Sequence, residues 1–185
     1  MAPTPATPPV QVVLCLPILN GLTGRQVLLG LKQRGFGAGH VVAPGGKIEP
    51  GESPAQAAAR ELHEETSVLT DPATLEPAAR VYFRFPANPA ADMDCQVFLT
   101  TEFSGMAAAS DELLPGWYPV GHLPLDRMWE DSPLWLDRLF RGERFDALVR
   151  LGDDNESVAH FATIAWPEGT MPDAPATESD FPTPA

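Results

Sequence analysis

Glu61, Glu64 and Glu65 fall within a single turn if the chain around them is helical. At i, i+3 and i+4 like charges repel instead of supporting a helix, so a positive partner is required. A hard divalent cation ligated by carboxylate oxygens meets that need. Magnesium, which keeps several waters and bridges to substrate phosphates, suits an open cluster of this kind. Acidic helix surfaces are more often solvated faces, but two neighbouring features tip the balance. The loop carrying Gly45, Gly46 and Gly51 can bring backbone right up to a metal-bound phosphate. Arg60 can pair with a carboxylate such as Glu52 or Glu64 and hold it in one orientation.

The element that must carry these glutamates is marked at its start. Ser53 can accept a hydrogen bond from the backbone at Gln56, Gln56 can reach back, and Pro54 sits where a missing N–H costs nothing. The spacing therefore predicts a helix from Pro54. Ala55, Ala59 and Leu62 form its buried stripe, with small side chains that let it lie close to a sheet. Upstream, Val10 to Leu19 reads as a buried strand despite Pro17, and Gln26 to Lys32 as its returning partner across the NGLTG turn. Arg34 to Gly39, RGFGAG, has no helix behind it and reads as a mobile loop near the substrate rather than a dinucleotide loop.

Downstream, Ala78 to Phe85 and Cys95 to Thr101 pair as strands, and the period of two puts Phe83 and Phe85 on one face, as core or as the floor of a base pocket. Trp117 to Val120 is a short strand, Ser132-Pro133 a second cap-plus-proline helix start carrying Trp135, Leu139 and Phe140, and Gly142 its stop. Phe145 to Leu151 and Ser157 to Trp166 form a last strand pair around the GDDN turn. His40, His63, His122 and His160 have no ligand spacing, although the first two lie near the glutamate cluster. No Ser/His/Asp arrangement stands out, which favours water activated by a metal.

Gly46, five residues, Glu52, seven residues, Arg60-Glu61-Leu62, one residue, Glu64-Glu65, two residues and Val68 resemble the Nudix box, the signature of hydrolases acting on nucleoside diphosphates linked to another moiety. One position departs: Ser67 stands where the family usually ends this helix with glycine, and a left-handed serine costs about 1 kcal/mol. Outside the box, Val27 to Gly39, Val81 to Phe85 and Pro115 to Leu136 are similar to the MutT-like branch, which hydrolyses oxidised purine nucleoside triphosphates such as 8-oxo-dGTP.

The resemblance implies an α+β fold, a mixed β-sheet sandwiched between helices (α/β/α). It implies metal ligation, by Mg2+ or Mn2+, through the Gly46 carbonyl, Glu61, Glu64, Glu65 and Glu112. It implies catalysis by Arg60 with Glu61, Glu65 or Glu112 as base, and substrate contacts from Lys32, Phe83, Phe85, Met93, Trp129, Asp131 and Trp135. Phe36 and Lys47, beside and within the box loop, complete the substrate set. Two departures bear on base choice: mammalian members carry tryptophan and asparagine where this chain has Val41 and Val42, and a second aspartate where it has Ser132.

The activity implied is conversion of an oxidised purine triphosphate to the monophosphate and pyrophosphate, sanitising the nucleotide pool. An alternative is another nucleotide substrate: an unmodified triphosphate, a dinucleoside polyphosphate or a nucleotide sugar. A non-catalytic nucleotide-sensing module stands against a box that keeps Glu52, Glu61, Glu64 and Glu65. An acidic interaction protein would explain the proline-rich ends but not the box.

The 185 residues, 44% hydrophobic, suffice for one domain with its own core. Residues 1–9 read as a disordered lead-in, 10–166 as the domain, and 167–185 as a disordered Pro-rich acidic tail. A net charge of −13 disfavours nucleic-acid polymers and anionic membranes as partners, while a nucleotide can still bind through a metal. Cys15 and Cys95 read as buried reduced thiols. The expectation is a cytoplasmic monomer with no secretory leader or membrane span.

Overall fold

The structure, a computed structural model, describes residues 8–22 and 24–183, so most of the proposed N-terminal lead-in lies outside the described residues. In chain order the elements are β1 (Val10–Gly21), β2 (Gly24–Lys32), β3 (Val41–Val42), β4 (Gly45–Lys47), α1 (Pro54–Thr66), β5 (Glu76–Arg84), β6 (Met93–Thr100), β7 (Leu113–Pro119), α2 (Ser132–Phe140), β8 (Phe145–Leu151) and β9 (Val158–Ala165). The strands form one mixed sheet ordered β3-β2-β1-β6-β5-β8-β9, with β4 on β1 and β7 on β2. The β1–β6 and β5–β8 pairs are parallel and the others antiparallel.

Pro17 is tolerated in this central strand for a definable reason. Cys15 N donates to Pro44 O, so the donor that Pro17 lacks would point to the same side. There β1 changes partner, from β4 opposite Val12 to Leu14 to β2 opposite Ile18 to Gly21, and Pro17 falls in the gap.

Side-chain alternation along β1 and β2 sends residues to two cores. Val13, Cys15 and Leu28 meet Ala57, Ala58 and Leu62 of α1 on one face. Leu16, Val27 and Leu29 join Trp135, Leu136 and Leu139 of α2 on the other. The buried side of α1 is thus centred on Ala58 and Leu62, with Ala59 included and Ala55 only partly buried. Both expected cysteine thiols are free and buried, and burial pushes that of Cys15 up to about 12. Among the described residues no helix is long and apolar enough to cross a membrane.

The capping box of α1 forms as expected: Gln56 N donates to Ser53 Oγ (3.2 Å) and Ser53 N to Gln56 Oε1 (2.8 Å). The helix ends on Ser67 at φ 63°, whose N–H donates to His63 O at 2.8 Å. Ser67→Gly should therefore raise stability by about 0.5–1 kcal/mol, read as a higher urea midpoint; an unchanged midpoint would argue against strain at this cap.

Three expectations need correction. β7 begins at Leu113, well before Trp117, because it pairs with β2 from Gln26 to Lys32, and the Pro115-Gly116 dipeptide hides that length in the sequence. Ser132 is the first helical residue of α2 and not its cap. Asp131 occupies the cap position but makes no capping bond, its carboxylate being taken by Trp135.

The third correction concerns the segment after Trp166, expected to be disordered. Phe181 is 6% exposed and packs with Tyr82, Leu148 and Ala162. Ala176 N donates to the Tyr82 hydroxyl, Arg80 to Ala174 O, and Arg84 and Arg150 both to Glu178. Tyr82 and Leu148 alternate with Val81 and Ala147, which face α2, so the segment covers the α1 face of the sheet where α1 does not reach. Beneath it lies a buried trio: Asp146 accepts from Arg80 Nε (2.8 Å) and from Trp166 Nε1 (2.7 Å).

Candidate active site

Arg60 in the middle of α1 gathers the glutamates. Its Nε and Nη2 bond both oxygens of Glu52 (2.6 and 2.9 Å), its Nη1 bonds Glu61 (2.9 Å) and Glu64 (3.2 Å), and Nη2 also donates to Lys47 O of β4 (3.1 Å). One planar guanidinium can serve so many acceptors because its donors are fixed in a fork. The fork, helped by the Glu49 amide, holds the Glu52 carboxyl down at about 2, while Arg60 itself is held above its ordinary range, mainly by Glu52. Burial pushes the Glu61 carboxyl up, Arg60 notwithstanding, and the charges of Glu65 and Glu64 push the same way.

A second cation does the same work one turn on. Glu65 is buried at 3% exposure; Lys32 Nζ of β2 donates to its Oε1 at 2.6 Å and Gly45 N to its Oε2 at 3.0 Å. Lys32 also reaches Glu112 Oε2 at 3.2 Å, with Arg34 3.5 Å from the other oxygen. Burial opposes charge on Lys32, but Glu65 and Glu112 together hold its ammonium above the ordinary range. Lys32 in turn lowers the Glu112 carboxyl.

Among the described residues, no three acidic, histidine or cysteine side chains converge at metal-binding distance. The carboxylates expected to surround a cation are instead divided between Arg60 and Lys32. Five carboxylates (Glu52, Glu61, Glu64, Glu65, Glu112) face three cations (Lys32, Arg34, Arg60), leaving a charge of about −2 that a divalent ion would balance. The donors are oxygens throughout, as a hard cation requires.

A cavity of about 560 Å3 leads from this cluster into the α2 side of the fold. Gly45, Gly46, Lys47, Lys32 and Glu112 line its charged end; Phe83, Phe85, Met93, Trp129, Asp131 and Trp135 line its apolar end, with Phe36 on the rim. All the expected substrate-contact residues therefore border one space. Trp129 stacks on His40 (3.9 Å between ring centres, 7° between planes) and on Phe36 (5.5 Å, 21°), and Phe36 meets Phe85 edge-on. Asp131 is 6% exposed, with its Oδ2 accepting from Trp135 Nε1 at 2.8 Å. Burial raises its carboxyl pKa and the Trp135 bond partly offsets that.

Two placements were not foreseeable. Lys32, expected among the substrate contacts, directs its ammonium to Glu65 and Glu112. Asn155, in what reads as a plain turn, borders the cavity as well; a non-glycine residue at φ 57° is the only signal, and it is structural.

Comparison with known proteins accounts for this layout. A NUDIX domain model matches residues 8–139. The chain belongs to the Nudix family. Among curated Nudix relatives, the zebrafish (Danio rerio) protein named oxidized purine nucleoside triphosphate hydrolase is 39% identical over 73% of this chain and 85% of its own. The mouse (Mus musculus) protein of that name is 32% identical over 75% and 87%. Of solved structures, the MutT protein of Bacillus halodurans covers 83% of this chain and 97% of its own with a TM-score of 0.69 at 23% identity, a likeness of fold alone. The NUDIX domain of Shewanella oneidensis NrtR, solved with ADP ribose, has a TM-score of 0.58 at 18% identity over 77% of this chain and 92% of that one. The Nudix fold, with its mixed sheet between two helices, is thus shared with these solved structures. Nudix hydrolases generally use a divalent metal ion.

Proposed function

We propose that this Nudix hydrolase cleaves an oxidised purine nucleoside triphosphate to the monophosphate and pyrophosphate, acting on free nucleotides as a cytoplasmic monomer. The observation that carries this is the continuity of a single cavity from Lys32, Gly46 and Glu112, which adjoin the Glu61 and Glu65 carboxylates, to an aromatic end lined by Phe83, Phe85, Trp129 and Trp135. The names of the zebrafish and mouse relatives point to the same substrate class. The net charge of −13 disfavours a polymeric nucleic acid in its place.

Glu61, Glu64, Glu65, Glu112 and the Gly46 carbonyl would hold Mg2+, or Mn2+. When bound, the ion neutralises phosphate charge and lowers the pKa of a coordinated water. Arg60 fixes the orientation of Glu61 and Glu64, and one of Glu61, Glu65 and Glu112 accepts the proton of the attacking water. Lys32, between Glu65 and Glu112, and Lys47 meet the phosphates with positive charge. Phe83, Phe85, Met93, Trp129 and Trp135 enclose the base, and Asp131 offers a polar atom in apolar surroundings.

Pyrophosphate release from 8-oxo-dGTP, 2-hydroxy-dATP, dGTP and dATP, with and without Mg2+, tests the reading. Magnesium-dependent release that favours the oxidised bases is expected. Equal rates on all four would support a second reading, an unmodified triphosphate, a dinucleoside polyphosphate or a nucleotide sugar. Val42 and the loss of a second aspartate at Ser132 favour that one, because a pocket with fewer polar groups discriminates less.

A further inference from the structure

Trp129 borders the apolar end of the cavity but stands on irregular backbone, between Arg127 and the start of α2 at Ser132. Its ring is met by the loop from Arg34 to His40. The His40 imidazole lies flat on the indole, with ring centres 3.9 Å apart and planes 7° apart, and Phe36 stacks at 5.5 Å and 21°. A Cβ built on Gly37 would stand 3.5 Å from the indole Nε1, so the loop backbone is close as well.

The two stacked rings are not equivalent supports. Phe36 is 63% exposed and itself borders the cavity. His40 does not border it, so whatever His40 contributes to a ligand passes through the Trp129 ring. The backbone of His40 is tied down: its N donates to Gly37 O and its O accepts from Lys32 N, while Gly39 N donates to Lys32 O, each at 2.9 Å. The imidazole therefore joins Trp129 to the end of β2, where Lys32 holds the Glu65 and Glu112 carboxylates. Nδ1 of His40 is buried and has no hydrogen-bond partner among the described residues. That is unfavourable for a polar atom, and the flat contact with Trp129 is what the ring gains in return.

We propose that His40 is a positioning residue for the base: its imidazole sets the plane of Trp129, and with it the spacing between the aromatic end of the cavity and the carboxylates that Lys32 holds. The inference rests on the purine-nucleotide reading of this cavity and deepens it. A base gains most from a ring held parallel to it at a fixed distance from the site of its phosphates.

His40→Ala removes the ring, whereas His40→Phe keeps a flat one and deletes the unpaired nitrogen. With 5-fluorotryptophan in place of the four tryptophans, the 19F resonance of Trp129, assigned by its loss in Trp129→Phe, reports the contact itself. Calorimetry gives the Kd of 8-oxo-dGMP and of inorganic pyrophosphate with Mg2+. His40→Ala should move the Trp129 resonance most, bind 8-oxo-dGMP about fivefold more weakly and bind pyrophosphate as the wild type does. His40→Phe should restore the 8-oxo-dGMP Kd. The proposal is overturned by an unmoved Trp129 resonance or an unchanged 8-oxo-dGMP Kd in His40→Ala, by an equal loss for pyrophosphate, or by a His40→Phe protein as weak as His40→Ala. A wild type that binds no purine monophosphate would overturn the purine reading and the proposal together. Binding without pyrophosphate release from any purine triphosphate would overturn the proposed activity alone, and the Kd values would still decide the role of His40.

Discussion

Glu65→Gln should lower kcat/KM for pyrophosphate release by about 10^3-fold, roughly 4 kcal/mol of transition-state stabilisation. Glu65 is the most enclosed of the box carboxylates, with one oxygen on Lys32 and the other on Gly45 N. Glutamine has nearly the same shape but no charge, and its NH2 group must face one of two donors, the Lys32 ammonium or the Gly45 amide. A divalent ion loses an anionic ligand, Lys32 keeps only Glu112 as a partner, and β2, β4 and α1 lose part of their common tie. The stability penalty should be about 1–3 kcal/mol, visible as a lowered thermal midpoint but short of unfolding. Steady-state kinetics together with thermal unfolding separates the two effects. A folded variant with near-native kcat/KM would sink the assignment of Glu65 to the reacting centre.

Gly46→Ala should cost about 10^2-fold in kcat/KM with little change in stability. A Cβ at Gly46 falls 2.5 Å from Glu61 Cδ and 2.8 Å from its Oε2, far inside van der Waals contact. The obstacle is the end of a flexible side chain, so Glu61 can swing aside at small energetic expense and abandon its 2.9 Å bond to Arg60. Its neighbour makes the control. A Cβ at Gly45 runs into the main-chain oxygen of Val13, which cannot yield, so Gly45→Ala should lower the unfolding midpoint as well. Equal midpoint losses for the two variants would mean that Gly46, like Gly45, serves only the β1–β4 contact.

Much of the site was legible in the sequence because each part had a local cause. Ser53, Pro54 and Gln56 announced the start of α1, and the glutamates announced their own need for positive charge. What the sequence showed less well were partnerships across distance. Arg60 was expected to hold one carboxylate and holds three plus a carbonyl of β4, because β4 approaches α1 only in the folded sheet. The β2–α1 alignment that turns Lys32 onto Glu65 likewise has no signature in either segment.

The C-terminal segment misled for a different reason. Proline, acid and small residues dominate it, and its anchors, Met171, Ala176, Glu178 and Phe181, follow no period. Composition reports whether a segment can fold alone; this one folds onto an existing surface.

That segment also sets an order of events during synthesis. Tyr82 and Leu148 have no complete cover until Phe181 has left the ribosome, and β5 cannot pair with β8 until Phe145 to Arg150 have emerged. Over that interval the nascent chain presents an apolar sheet face and an open strand edge to solvent. The two exposures end in sequence, the strand edge when β8 docks on β5 and the apolar face only when Phe181 docks on Tyr82 and Leu148.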